Sequence, residues 1–283
     1  MNLRNPGAEI FFPDPALSGE ALESTTHLAI GAHQDDIEIM AFHGIVECYN
    51  TQPHGFTGIT CSDGAGSPRR GAFAKLSDLE MQALRKTEQR QAAILGRYAA
   101  MIQLDYTTAA SEDYRRSGLL EDLALILDSA RPRKVYLHNP ADKHPTHVAC
   151  ALAAIEALRA LPPEGQPEKV YGCEVWRDLD WMPDEAKVAL DVSGHTQLAE
   201  ALLSVFDSQI SGGKRYDLAV TGRRRANAVF HHSHLTDQAE ELCFAMDLTP
   251  LIKAPAADPA AYVGAWIDRF KADVIGKLSR QIA

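Results

Sequence analysis

The chain is sparing with cysteine, with positive charge and with long apolar runs, and each shortage narrows what it can be. Its five cysteines, Cys48, Cys61, Cys150, Cys173 and Cys243, are odd in number, scattered and without a Cys-x-x-Cys pair. That pattern predicts reduced thiols in a cytosolic protein. Lys and Arg number 28 against 38 Asp and Glu, for a formal charge of −10. Nucleic acids and anionic membranes both attract basic surfaces, so neither is an expected partner, and Arg223-Arg224-Arg225 is too short to reverse that. No stretch approaches the length that spans a bilayer, and the opening Met1 to Pro6 has no apolar core of a leader, so a cytoplasmic, unanchored protein is expected. The dinucleotide fingerprint and the phosphate-binding loop with its lysine are also missing, although Gly64 and Gly66 fall in a glycine-rich loop.

What is present is ordinary globular material. Hydrophobic residues make up 46% and charged ones 23% of 283 residues, enough for one large α/β domain or two smaller ones. A single domain over residues 1–283 is favoured, with residues 1–25, which contain Pro6, Pro13 and Pro15, as an irregular arm and residues from about 165 onward as an extension of the same domain. Strand-like runs at Leu28 to Ala32, Phe56 to Cys61, Ala100 to Leu104 and Lys134 to Leu137 alternate with helix-like stretches at Ile37 to Tyr49, Leu76 to Gly96, Leu119 to Ala130 and Val148 to Leu161. That order implies parallel βαβ units in a Rossmann-like, doubly wound, mostly parallel sheet. Further on, Val170 to Trp176, Lys187 to Val192 and Glu241 to Leu248 look extended and Gln197 to Phe206 looks helical. Tyr262, Trp266 and Phe270 line one face of a last helix expected to serve packing.

Two polar clusters interrupt this pattern at strand ends, the edge of such a sheet where ligands bind. Ala32-His33-Gln34-Asp35-Asp36 follows the first strand, and His138 to His147, with three histidines and Asp142, follows the fourth. One Asp there can be a helix cap, and one loop histidine is ordinarily surface; together they are harder to dismiss. Catalytic zinc takes three protein ligands, commonly imidazoles and a carboxylate, and keeps a position for water. His33, Asp36 and His147 can supply that set and leave Asp35 free as general base. Ser62 to Gly71 reads as a flexible substrate loop that includes Asp63. Arg85 and Glu88, one turn apart, have solvated helix surface as their plain reading. The segments Ser211 to Tyr216 and Arg223 to Arg225 suit either a substrate- or subunit-facing role or a capped surface helix, and His231-His232-Ser233-His234 reads as a surface loop.

Ala32 to Asp36 together with His144-Pro145-Thr146-His147 resembles the zinc-dependent N-acetylglucosaminyl deacetylase family called PIG-L or LmbE-like, whose signatures read Ala-His-Pro-Asp-Asp and His-Pro-Asp-His. Thr60 to Gly64, Arg85-x-x-Glu88 and Leu95-Gly96 resemble its pattern over roughly residues 26 to 160. Gly212 to Tyr216 and Arg223 to Ala228 resemble longer bacterial members. The resemblance implies one Zn2+ per chain, or another divalent metal such as Fe2+, on His33, Asp36 and His147. It further implies Asp35 as base, His144 as oxyanion stabiliser or proton donor to the leaving amine, and Arg85 as a contact to sugar hydroxyls. Asp63 and Asp142 are counted with Arg85 as substrate-binding candidates. Gln34 replaces the family's proline, and Thr146 replaces its aspartate, which removes a charged partner for His144; Asp142 is close enough in sequence to substitute. The expected reaction is hydrolysis of an N-acetyl group on a small amino sugar, in a protein that can be a homo-oligomer. Competing readings are a non-haem Fe(II) oxygenase with two histidines and a carboxylate, a chemistry found at this spacing on all-β folds, and a non-catalytic sugar-binding relic.

Overall fold

Eight strands lie side by side in one sheet of the computed structural model, which describes residues 1–18, 20–51 and 55–282. They are β1 (Glu9–Phe11), β2 (Thr25–Gly31), β3 (Gly55–Ser62), β4 (Ala100–Tyr106), β5 (Lys134–His138), β6 (Lys169–Cys173), β7 (Lys187–Asp191) and β8 (Leu242–Asp247), in the spatial order β1-β4-β3-β2-β5-β6-β8-β7. Pairing is parallel from β4 across to β6, and antiparallel where β1 and β8 join and where β7 joins β8. The mostly parallel α/β sheet is therefore as expected, and an all-β oxygenase fold is not what this chain forms.

The helices are α1 (Asp36–Met40), α2 (Phe42–Tyr49), α3 (Asp78–Leu95), α4 (Thr108–Glu112), α5 (Tyr114–Ser117), α6 (Leu119–Ala130), α7 (Pro145–Ala160), α8 (Thr196–Ser204), α9 (Asp207–Ile210), α10 (Tyr216–Phe230), α11 (Thr249–Lys253) and α12 (Pro259–Ile282). Side chains alternate across a strand, and β2 shows the result. Leu28 and Ile30 join one core with Leu123, Ile126 and Leu127 of α6 and Ala154 and Leu158 of α7. Ala29 joins a second core on the opposite face, with Phe42 and Ile45 of α2 and Leu202 of α8. The result is a sheet with helices on both faces, which buries every residue of β2 except the half-buried Thr26.

Three local expectations change. The arm is not wholly irregular: Glu9–Phe11 adds an antiparallel edge strand to β4, and Asn5 Nδ2 donates to Leu104 O and Asp105 O at 2.8 Å each. Three residues are too few to show a period, so only the partner strand defines this one. The helix expected over Ile37 to Tyr49 is two helices that meet at Ala41. In α12, Tyr262 and Trp266 pack on the core, whereas Phe270 lies beyond it and is 39% exposed. Among the described residues no helix is long and apolar enough to cross a membrane.

Sheet order decides where the site falls. From β2 the chain goes to β3 on one side and later to β5 on the other, so the connections diverge between β2 and β5. A crevice opens at such a switch point at the carboxyl ends of the strands. The His33 to Asp36 loop leaves β2 there, and the His138 to His147 segment leaves β5.

Candidate active site

Asp36 is the first residue of α1, and its Oδ2 accepts the His33 backbone N–H at 2.7 Å, closing the turn after β2. The same oxygen lies 3.2 Å from His33 Nδ1 and 3.4 Å from His147 Nε2, while those two nitrogens are 3.2 Å apart. Ligands held tetrahedrally at roughly 2.0–2.1 Å from zinc stand about 3.3 Å from one another. The three donor atoms thus already form one face of such a tetrahedron, a fit that comes from the donor geometry itself. Their electrostatics agree: burial pushes the Asp36 carboxyl up, but His147 and His138 more than offset this and hold it well below the usual range. His147 is opposed by burial yet raised overall by Asp36 and Asp142. An anionic floor of this kind favours a cation.

Two overlapping groups of donors converge here, His33 with His144 and His147, and Asp36 with His138 and His147. His138 has another task. Its Nε2 accepts the Ala32 N–H at 2.8 Å, so its lone pair is occupied, and its ring stacks on His147 with centroids 3.9 Å apart. Burial pushes its pKa down to about 4, so it is a neutral ring that fixes the end of β2 and the plane of His147. No sequence motif assigns His138 a role of its own. The signal was available in its place as the last residue of β5, beside the strand that carries His33.

Asp35 points the other way. It immediately precedes α1 with φ at 97° and makes no side-chain cap; its N–H goes to Gln89 Oε1 at 3.2 Å. Its carboxylate borders the cavity and lies 3.6 Å from Arg85 Nη2. Burial pushes Asp35 up to about 8 against the pull of Arg85. Arg85 also donates to Gln34 O, and it is 2% exposed. The solvated-surface reading of Arg85 and Glu88 therefore fails. Glu88 is buried as well, accepting Ser208 N–H at 2.7 Å and Ser208 Oγ–H at 2.6 Å from α9. Gln34, in place of the family's proline, is fully buried and donates through Nε2 to Ser62 O at 3.0 Å.

On the opposite side His144 is half-buried, its ring stacked on His147 at 4.7 Å and tilted toward Trp176 at 6.4 Å. Burial and the His147 and His33 rings lower its pKa. Asp142 does not partner the His144 ring. It accepts the His144 backbone N–H through Oδ1 at 3.0 Å, and its Oδ2 accepts Trp176 N–H at 3.1 Å and faces His147 Nδ1 at 3.6 Å. Fully buried, this carboxylate sits behind His147 and does not line the cavity. Asp63 likewise turns inward, accepting Ala65 N–H at 3.0 Å, and is not among the lining residues. Thr146 Oγ donates to Glu112 on α4 at 2.8 Å, and among the described residues no hydrogen bond joins it to His144.

The cavity holds about 460 Å3, with His33, Asp35, Asp36, Arg85 and His144 on its inner wall. Trp176, Gln209, Lys214 and Tyr216 form the outer wall, with Lys214 Nζ 4.8 Å from the Trp176 ring centre. The segment Ser211 to Tyr216 thus faces the site, one of the two placements its composition left open. No motif or spacing singles out Trp176 before the fold is known.

Comparison with known proteins bears on this arrangement directly. Residues 28–158 match the model of the family described as PIG-L, GlcNAc-PI de-N-acetylase. They form a PIG-L family domain. It contains all eight residues proposed for the site from sequence, and membership supports an enzyme of the deacetylase class. The outer wall of the cavity lies beyond the PIG-L match, in the C-terminal part of the chain. Among solved structures, the N,N'-diacetylchitobiose deacetylase of Pyrococcus horikoshii is 18% identical, with 82% of this chain and 89% of that one covered and a TM-score of 0.59. A deacetylase of the teicoplanin biosynthesis pathway is 17% identical over 77% and 96%, with a TM-score of 0.58. The 4-carboxy-2-hydroxymuconate hydratase of Pseudomonas putida is 16% identical over 79% and 95%, with a TM-score of 0.55. These likenesses establish the fold, which serves more than one reaction, so the chemistry has to be argued from the site.

Proposed function

We propose that this protein is a zinc-dependent N-deacetylase that hydrolyses an N-acetyl group on an amino sugar, releasing acetate and a free amine. The observation that carries this reading is the convergence of His33 Nδ1, Asp36 Oδ2 and His147 Nε2 within 3.2–3.4 Å of one another, with the next carboxylate, Asp35, facing the same cavity. A divalent cation on those three residues, zinc or another such as Fe2+, would polarise the amide carbonyl and acidify the attacking water. Asp35 takes the proton of that water, a role suited to a buried carboxyl pushed up to about 8, and passes it to the departing nitrogen. His144, kept neutral by its lowered pKa, donates a hydrogen bond to the oxygen on which negative charge develops. Of the two roles that the family resemblance implies for His144, this is the oxyanion stabiliser, and proton delivery to the amine falls to Asp35. Arg85 borders the cavity and faces Asp35, so it positions the base and offers guanidinium N–H groups to substrate hydroxyls. Trp176 and Tyr216 supply ring faces against which the apolar side of a sugar can lie.

Measuring acetate released from a panel of N-acetylated amino sugars, with metal analysis of the same sample, tests this reading. Activity should follow metal content, and His33→Ala and His147→Ala should lose both together. A fully metal-loaded protein that releases acetate from no member of the panel would refute it.

A further inference from the structure

Behind the outer wall of the candidate active site lies a second chamber of about 230 Å3. The two cavities share Ile39, Val175, Trp176 and Tyr216. Ile39 is one helical turn from Asp36, so the chamber begins close to the proposed catalytic centre without including any of its residues. Val220 of α10 and Leu242 and Phe244 of β8 make the far side apolar.

Arg224 is out of place in such a lining. It is 3% exposed. Its Nη2 donates to Glu38 O and Ile39 O at 3.0 Å each, and the guanidinium lies 4.4 Å from the Phe42 ring centre. Its Nε is buried with no hydrogen-bond partner, and among the described residues it has no ion pair with a carboxylate. Glu174 borders the same chamber, but its oxygens accept Leu179 N–H, the Asn227 amide and Phe244 N–H. Carbonyl dipoles and a ring face compensate a buried cation only in part, and an apolar enclosure makes the remaining deficit costly.

We propose that this chamber is a second ligand site, for a small amphipathic carboxylate whose anionic end pairs with Arg224 and whose apolar body lies against Val220, Leu242 and Phe244. An apolar cavity of about 150 Å3 takes benzene, so this one has space for roughly nine carbon atoms. The site stands whether or not the neighbouring cavity deacetylates sugars, because Arg224, Val220, Leu242 and Phe244 take no part in that reaction, and of the residues the two cavities share only Trp176 and Tyr216 are assigned a sugar contact.

Calorimetry of the full chain with sodium octanoate and with 1-octanol tests the proposal. Octanoate should bind once per chain, and 1-octanol about 10- to 100-fold more weakly, as expected when one charge-assisted contact is missing. Arg224→Met should abolish that difference. Val220→Trp, which fills the chamber and keeps the arginine, should weaken both ligands. The wild-type comparison stands by itself if Arg224→Met does not fold. Absence of octanoate binding at millimolar concentration, or equal affinity for acid and alcohol, would overturn the proposal. So would octanoate binding that survives Val220→Trp and disappears with a chelator, because that would place the carboxylate at His33, Asp36 and His147.

Discussion

Asp142→Asn separates two accounts of the His138 to His147 segment, because the carboxylate lies behind His147 and touches His144 only at its backbone. Burial pushes the Asp142 carboxyl up, but the His147 ring and the His144 N–H more than offset this and bring it from the ordinary 3.8 to about 2. At about 1.4 kcal/mol per pH unit, that fall represents about 2 kcal/mol of stability. The folded value lies below the unfolded one, so the stabilisation is complete above about pH 4 and is lost as pH falls through about 2. With an unfolding entropy of roughly 2.1 cal/mol/K per residue, a chain of this length should melt about 3 °C lower with asparagine. Thermal denaturation of chelated protein at pH 7 should show that difference, and lowering the pH below about 4 should narrow it. Zinc affinity, measured by competition with a chromophoric chelator, should fall about 10- to 100-fold, as for a carboxylate that orients a ligating imidazole. A variant with wild-type melting and wild-type zinc affinity would refute this account. If only the upper limb of the kcat/KM pH profile moved, Asp142 would be acting on His144 instead.

Three further changes probe the rest of the site. Asp35→Asn should retain metal and lower kcat by roughly 10²–10⁴-fold; loss of metal in this variant, with full occupancy in Asp36→Asn, would exchange the roles of the two carboxylates. Because Arg85 holds the Asp35 pKa down, Arg85→Met should move the acid limb of the kcat/KM profile to higher pH. An unmoved limb with a raised KM would leave Arg85 a sugar contact alone. Thr146→Asp would set a second carboxylate against Glu112 at a fully buried position and should destabilise the protein by about 3 kcal/mol or more; a variant of wild-type stability with a raised His144 pKa would show that residue 146 faces the histidine after all.

Features set by neighbouring residues were legible before the structure. The apolar run ending at Ala32, the polar turn after it and the histidines opening α7 are each encoded within a few positions, and the alternation of strand and helix prescribes the sheet edge they share. Features created by pairing were not. His138 gains its role only because β5 lies beside β2, which brings its ring to Ala32 N–H and onto His147. Arg85 and Glu88 have the spacing of a surface pair, and it takes the packing of α9 against α3 to bury Glu88 beneath Ser208. Thr146 and Asp142 also mislead by proximity, because a helix start sends adjacent side chains in different directions, one to Glu112 and the other to His147.

The backbone at Asp35 has a bearing on descent. A φ of 97° suits glycine, and an aspartate held there is strained by an amount of order 1–3 kcal/mol. Asp35→Gly relieves the strain and also removes a buried carboxyl, so this variant should melt above wild type while losing activity; a lower melting temperature would show that Asp35 supports the fold. Were position 35 free of chemical duty, random substitution would meet a more stable residue there with no penalty. The aspartate in this sequence therefore weighs against a lineage that has abandoned catalysis.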